Sequence, residues 1–291
     1  MKPQLRDLLS VGTIEKGIDG IYSSTQKEIE PNKDQNLEQT LRHQVASRKY
    51  SNYLHHISIS HSIPVMDYEI DSFLSKIPCD GLILDIGGCW GWHWRHLSSQ
   101  RRDVGVVIVD FVRQNLAHAQ KILHNLLEQQ VILLHADAIS LPFPSTKAMH
   151  CPFDGIWTVQ TFQHIPNFEK ACKEAHRVCK RFGIFKNYTL NSTPMNRAIY
   201  KLFNKEMHLN GIVNGNYYLR RSDIYQRDIV ARIFGTKVLE SYTECLFHPD
   251  LKLSFTGREK SRIGRIDAHL GRFPALGRWI GRQHSLEAVK A

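Results

Sequence analysis

Chemistry-bearing residues cluster first in Gly81–Leu97, GLILDIGGCWGWHWRHL. The apolar run Leu82-Ile83-Leu84 ends on Asp85, followed by Gly87-Gly88-Cys89-Trp90-Gly91 and a segment able to continue as helix. A strand, a tight glycine turn and a helix form the opening unit of a nucleotide-type α/β site. Glycines there permit positive φ and let backbone approach a ligand that a Cβ would exclude. Two further acids stand beyond it, Asp110, 19 residues past Gly91, and Asp137, each just after an apolar run. His164 follows a fourth such run, and an imidazole with a pKa near about 6.5 suits general-base work.

The spacing narrows the ligand. A nicotinamide fingerprint, Gly-x-Gly-x-x-Gly, ending on Gly91 would put Ile86 at its first glycine. The pattern acid-x-Gly-x-Gly-x-Gly starts instead on Asp85 and is met by Gly87 and Gly91. Cys89 replaces its middle glycine and Gly88 adds one beside it.

The elements that position these residues alternate along the chain. A helix from Pro64 carries Met66, Ile70, Phe73, Leu74 and Ile77 at three- and four-residue spacing, before Pro78. VGVVIVD (104–110) is continuously apolar, as a parallel strand covered on both faces would be. A helix with Val112, Leu116, Ala119, Leu123 and Leu126 on one face follows it, then the strand VILLH (131–135). Residues 153–159 give a fourth strand, Phe168–Cys179 a helix, and IFKNYTL (184–190) a fifth strand. The alternation predicts a doubly wound parallel sheet. Residues 191–221 interrupt it with one helix from about Pro194 to His208 and a glycine-punctuated stretch, as a lid or substrate wall would. Ser222 caps a helix ended by Gly235, and 236–247 with 250–255 read as two adjacent strands.

On these residues the chain resembles class I S-adenosylmethionine-dependent methyltransferases, in the branch similar to quinone-biosynthesis methyltransferases. LDIGGCWG resembles the family's first motif, VGVVIVD its second strand, and HADAISLPF the segment beside the adenine. FDGIWTVQTFQHIPNFEKACKEAHRVCKRFGIFKNYTL resembles the fourth strand, its helix and the fifth strand. The resemblance covers residues 65–260. It implies a Rossmann-like, doubly wound, mostly parallel α/β sheet of the seven-stranded methyltransferase type, with an antiparallel C-terminal strand. The implied cofactor is S-adenosyl-L-methionine, with S-adenosyl-L-homocysteine as product. Asp85, Gly87, Gly88 and Gly91 would bracket its methionine part, Asp110 its ribose hydroxyls, and Asp137 with the Ala138 backbone its adenine. Asp110 could alternatively be a helix-stabilising N-terminal acid, and Asp137 a surface loop residue. The family's lysine-proline-glycine-glycine turn is Lys180-Arg181-Phe182-Gly183 here.

Methyl transfer asks the protein to position a nucleophile and, for a hydroxyl, to accept its proton. His164 is the candidate base, or else a loop histidine ordering backbone. Gln160 and Gln163 could orient substrate, and Tyr50, Tyr53, Tyr188, Asn191, Tyr217 and Tyr218 could line a pocket or serve as packing anchors. Trp90, Trp92 and Trp94 cannot share one helical face. Packing is their expected role.

Composition bounds the remainder. With 42% hydrophobic and 23% charged residues this reads as an ordinary globular chain. It has no apolar run of about 18 residues, so no transmembrane segment is expected. Its start is too charged for a signal peptide, so a cytoplasmic protein is expected. Six dispersed cysteines read as reduced thiols. Dispersed histidines, including His93 with His96 and His55 with His61, lack a third ligand, so no metal is expected. Three segments follow: a lead-in over 1–62 that could cover the cofactor site, a methyltransferase domain over 63–260, and a basic tail over 261–291. The net charge of +10 is concentrated late, with nine Lys or Arg against three Asp or Glu over 251–291. That tail could contact a membrane peripherally, follow RNA phosphates, or lie over the domain. The expected partner is a small-molecule acceptor, such as a sugar or lipid-linked biosynthetic intermediate. An RNA acceptor and a non-catalytic binding protein are the alternatives.

Overall fold

A computed structural model describes residues 1–25, 52–143, 152–191, 193–204, 210–213, 216–247 and 262–291, plus isolated positions between 36 and 47 and at 249. The central strands form where the apolar runs predict them. β3 (Leu82–Ile86), β4 (Gly105–Asp110), β5 (Val131–His135) and β6 (Phe153–Val159) pair in parallel. β3 and β4 are buried at every residue, because helices cover both faces of the sheet.

One face carries α3 (Ile63–Leu74) and α5 (Arg113–Ile122), and the other α6 (Phe168–Val178) and α8 (Asp223–Phe234). The predicted stripes Met66, Ile70, Phe73, Leu74 and Phe168, Ala171, Cys172, Ala175, Val178 all lie in these two cores. Ser222 caps α8 by accepting the Tyr225 amide, and Gly235 ends it at φ 69°. α8 buries Gln226, Ile229, Val230 and Phe234 and leaves Tyr225 exposed. β7 starts at Cys179, before the predicted Ile184, and runs to Leu190 beside β6 with a register shift near Phe153.

The full order is β1-β2-β5-β4-β3-β6-β7-β11-β10. The seven strands from β5 to β10 have the methyltransferase arrangement, including an antiparallel strand near one edge. That strand is β11 (Gln283–Val289), which lies antiparallel between β7 and β10 (Leu239–Thr243). The final strand expected at 250–255 lies outside the described residues. The boundary at 260 therefore cuts through the sheet rather than separating a tail from it. Buried polar residues Gln283, His284 and Ser285 open β11 and erase the apolar signature by which the other strands are read. Before it, α9 (Arg262–Gly271) and α10 (Pro274–Ile280) lie over α3 and β10.

The lead-in also departs from expectation. α1 (Pro3–Leu9) buries Leu5 and Leu8, and the hairpin β1 (Ile14–Lys16) with β2 (Tyr22–Ser24) extends the sheet beside β5. Its apolar anchors are too few and too irregularly spaced to show periodicity. α2 (Tyr53–Ser58) completes the described lead-in, and most of EIEPNKDQNLEQ lies outside the described residues.

Candidate active site

The glycine turn closes onto the end of β4. Gly87 and Gly88 both donate their amides to the Val109 carbonyl, at 2.7 and 3.2 Å. Gly87 and Gly91 adopt φ of 70° and 65°, and Cys89 joins them at 51°. Cys89 thus follows the left-handed path a glycine would take, at the cost such φ values carry for a side chain. The missing Cβ atoms make room for protein rather than only for ligand. One on Gly87 would strike Thr161, whose hydroxyl donates to the Gly87 carbonyl at 3.2 Å, and one on Gly91 would stand 2.6 Å from Leu123 Cδ1.

After the turn the expected helix is only a 3-10 turn, Trp92–Trp94, and a short α4 (Leu97–Gln100). That shortening separates the three tryptophans. Trp94 is fully buried and donates Nε1–H to Asp85 Oδ2 at 2.7 Å. Trp92 lies against His93, ring centroids 4.0 Å apart. Trp90 meets Tyr53 of α2 edge-on at 5.1 Å, and the Tyr53 hydroxyl bonds His118 Nδ1 at 2.9 Å. The lead-in therefore does reach the glycine turn.

Asp85 is 1% exposed. Burial pushes its pKa up to about 7 against the Trp94 hydrogen bond, and the Asp110 charge adds to the rise. Asp110 ends β4 with both oxygens engaged: Oδ2 accepts the Cys89 amide at 3.1 Å, and Oδ1 accepts the Val112 amide at 2.8 Å and Asn115 Nδ2 at 3.3 Å. It thus joins the glycine turn to the start of α5, the helix-stabilising alternative of the two expected roles. Asp137 accepts the Ile139 amide at 3.0 Å, forming a turn that leaves it and Ala138 half-buried at the end of β5.

His164 sits in the 3-10 turn Phe162–His164 after β6, with Nε2 3.3 Å from Gln163 Nε2. Gln163 braces β7, its Oε1 accepting the Leu190 amide at 2.7 Å. Arg221, which the sequence reading passed over, clamps this turn through the carbonyls of Phe162, Ile165 and Pro166. Its signal, one arginine beside a capping serine, is too common to single out. Tyr188 is fully buried and bonds Glu69 at 2.5 Å, so it serves the interior and not a pocket at the strand end. Within 191–221, α7 (Pro194–Leu202) and the hairpin β8 (Asn210–Val213) with β9 (Asn216–Leu219) are present, and β9 packs on the His164 turn. Tyr50 and the side chains of Tyr217 and Tyr218 lie outside the described set.

Folding also makes a pair that spacing had not predicted. His93 approaches His61, with ring centroids 6.2 Å apart. Burial drives His61 down to about 3, helped by the Arg282 charge, and holds His93 well below the ordinary histidine range.

The carboxyl ends of β3, β4 and β5 therefore present Asp85 with the glycine turn, Asp110, and Asp137 with Ala138, in that spatial order. Two strand spacings of about 4.8 Å separate β3 from β5, so the row spans roughly 10 Å, the scale of a nucleoside. The donor and acceptor chemistry of this row fits S-adenosylmethionine.

Residues 84–186 match the methyltransferase domain family. No curated protein matches the sequence. Solved structures share the fold. One is a protein from Thermotoga maritima described as a possible histamine N-methyltransferase, at 15% identity and a TM-score of 0.57, covering 87% of this chain and 100% of that one. The [4+2]-cyclase SpnF is 16% identical with a TM-score of 0.52, over 77% and 80% of the two chains. Phosphoethanolamine N-methyltransferase 2 of Haemonchus contortus, solved with S-adenosyl-L-methionine, is 16% identical with a TM-score of 0.50, over 76% and 52%.

The sheet has the class I, Rossmann-like methyltransferase fold, and the matched domain covers its central strands. The chain carries a methyltransferase domain over residues 84–186.

Proposed function

We propose that the protein transfers the methyl group to a small-molecule acceptor, with the cofactor held along the ends of β3, β4 and β5. The observation that carries this reading is Asp110, a carboxylate fixed between the Cys89 amide and the start of α5 at the end of the second central strand. Its placement suits acceptance of ribose hydroxyl protons. Asp85 and Gly87–Gly91 would then border the methionine end, and Asp137 with Ala138 the adenine.

The cofactor supplies a methyl carbon already activated by its sulfonium. The chain must exclude water and place the acceptor. The His164 turn, the glycine turn and residues 191–221 are the candidates for that wall, with His164 as the candidate base for a hydroxyl or amine proton. Small acceptors are supported by the names of two fold relatives, one described as a possible histamine N-methyltransferase and one as a phosphoethanolamine N-methyltransferase. A sugar or lipid-linked intermediate remains within this reading. The cyclase relative shows why transfer itself must be measured.

S-adenosylhomocysteine affinity, measured by calorimetry for the wild type and Asp110→Ala, tests the site. A loss of at least about tenfold is expected, as removing hydrogen bonds to a charged group commonly costs about 1.5–3 kcal/mol. Equal affinities would remove Asp110 from the ribose role. Labelled methyl transfer into a native small-molecule extract, read by mass spectrometry, then identifies the acceptor.

A further inference from the structure

The two helices before β11 turn the usual amphipathic rule outward. Their inward contacts are made by glycines. A Cβ on Gly264 would stand 2.5 Å from the Pro64 carbonyl oxygen, and one on Gly281 2.6 Å from Tyr242 Cβ, while Gly271 and Gly277 press as closely on Tyr242. Backbone thereby seats α9 and α10 directly on α3 and β10.

Four bulky apolar side chains are left outside. Ile266 is 51% exposed, Phe273 52%, Leu276 40% and Trp279 64%. α10 also packs on α7, beyond which Leu202 is 79% and Phe203 52% exposed. Single exposed apolar residues are ordinary, but six on three touching segments require a partner.

Among the described residues of these three helices the outward charge has one sign, although Arg278 also reaches Glu240 of β10 at 3.6 Å. Arg262, Arg265, Arg272 and Arg278 are exposed, and α7 adds Arg197 and Lys201. Asp267, the only acid between 262 and 280, is buried and accepts the amides of Cys245 and Leu246 at 2.7 and 3.1 Å. A second copy docked across a two-fold axis would bring these cations against their own counterparts. RNA would engage the arginines and leave the apolar residues in water. A surface mixing tryptophan, phenylalanine and leucine with arginine, and with no outward acid among the described residues of α7, α9 and α10, matches the headgroup and acyl boundary of an anionic bilayer.

We propose that the face made by α7, α9 and α10 docks this protein on anionic phospholipid membranes. The inference goes beyond the proposed function and does not depend on the cofactor site.

Co-sedimentation of the full chain with vesicles tests it, using phosphatidylcholine alone and phosphatidylcholine mixed with phosphatidylglycerol. The wild type should partition onto the mixed vesicles, release with salt, and shift its tryptophan emission to the blue. The double variant Leu276→Ser/Trp279→Ser should bind at least about tenfold more weakly. Neutralising Arg262 or Arg265 to Gln should cost about fivefold each. Thermal midpoints should stay close to wild type, since all four side chains are exposed. No partition at low salt, or unchanged partition of the variants, overturns the proposal. So does a solution dimer abolished by Trp279→Ser, or RNA retention lost in the arginine variants without vesicle binding.

Discussion

Asp85 shows what burial does to a single motif residue. With its pKa lifted to about 7, it holds a proton in the fold where the unfolded chain has already released one. The folded state then binds more protons between about pH 4 and 7, so this residue's contribution to stability falls as pH rises through that window and is flat above it. Asp85→Asn keeps an oxygen for Trp94 Nε1 and removes the ionisation. Its stability relative to wild type should therefore rise from pH 5 to pH 8, by an amount on the order of a few kcal/mol, and its thermal midpoint with it. Calorimetric melts of both proteins at the two pH values check this. A difference independent of pH would mean that Asp85 is ionised in the fold throughout.

At the scale of elements, one buried ion pair ties the beginning of α3 to the β10–β11 junction. Arg282 Nη1 meets Glu244 Oε2 at 2.6 Å and the Ser60 carbonyl at 2.9 Å, while Glu244 Oε1 accepts the Ser62 amide at 2.7 Å. Glu244 is wholly buried and Arg282 is 8% exposed. Removing one partner strands the other charge away from water. Glu244→Ala should cost about 3–5 kcal/mol, and Glu244→Ala/Arg282→Met should recover part of that loss in urea unfolding. If the double variant is less stable than the single one, stranded charge is not the source of the cost. Glu244 precedes the outward-facing helices and Arg282 follows them, so the pair closes the segment proposed for membrane contact.

At the scale of the whole molecule, the end of the chain is built into the sheet. β11 pairs with β7 from Gln283↔Leu190 to Val289↔Ile184, and with β10 from Gln283↔Thr243 to Glu287↔Leu239. Truncation after residue 260 would expose the β7 edge and orphan β10, leaving ladder groups unpaired. The truncated chain should lose its cooperative thermal transition in circular dichroism. A sharp transition near that of the full chain would show that the domain ends before the tail.

The amino-acid sequence by itself determined the central α/β alternation, the glycine turn and the acids at strand ends. It could do so because parallel strands covered on both faces must be continuously apolar, and because their carboxyl ends follow directly in the chain. The candidate residues Asp85, Gly87, Gly88, Gly91, Asp110, Asp137, Ala138 and His164 were legible for that reason. Tertiary structure alone decided that Asp110 is fastened to Cys89, that Arg221 holds the His164 turn, and that His61 meets His93, 32 positions further along. It also placed β11 inside the sheet and the apolar residues of α9 and α10 outside the molecule. Pairing partners and the inward face of a glycine-bearing helix depend on neighbours distant in sequence, which local periodicity does not encode.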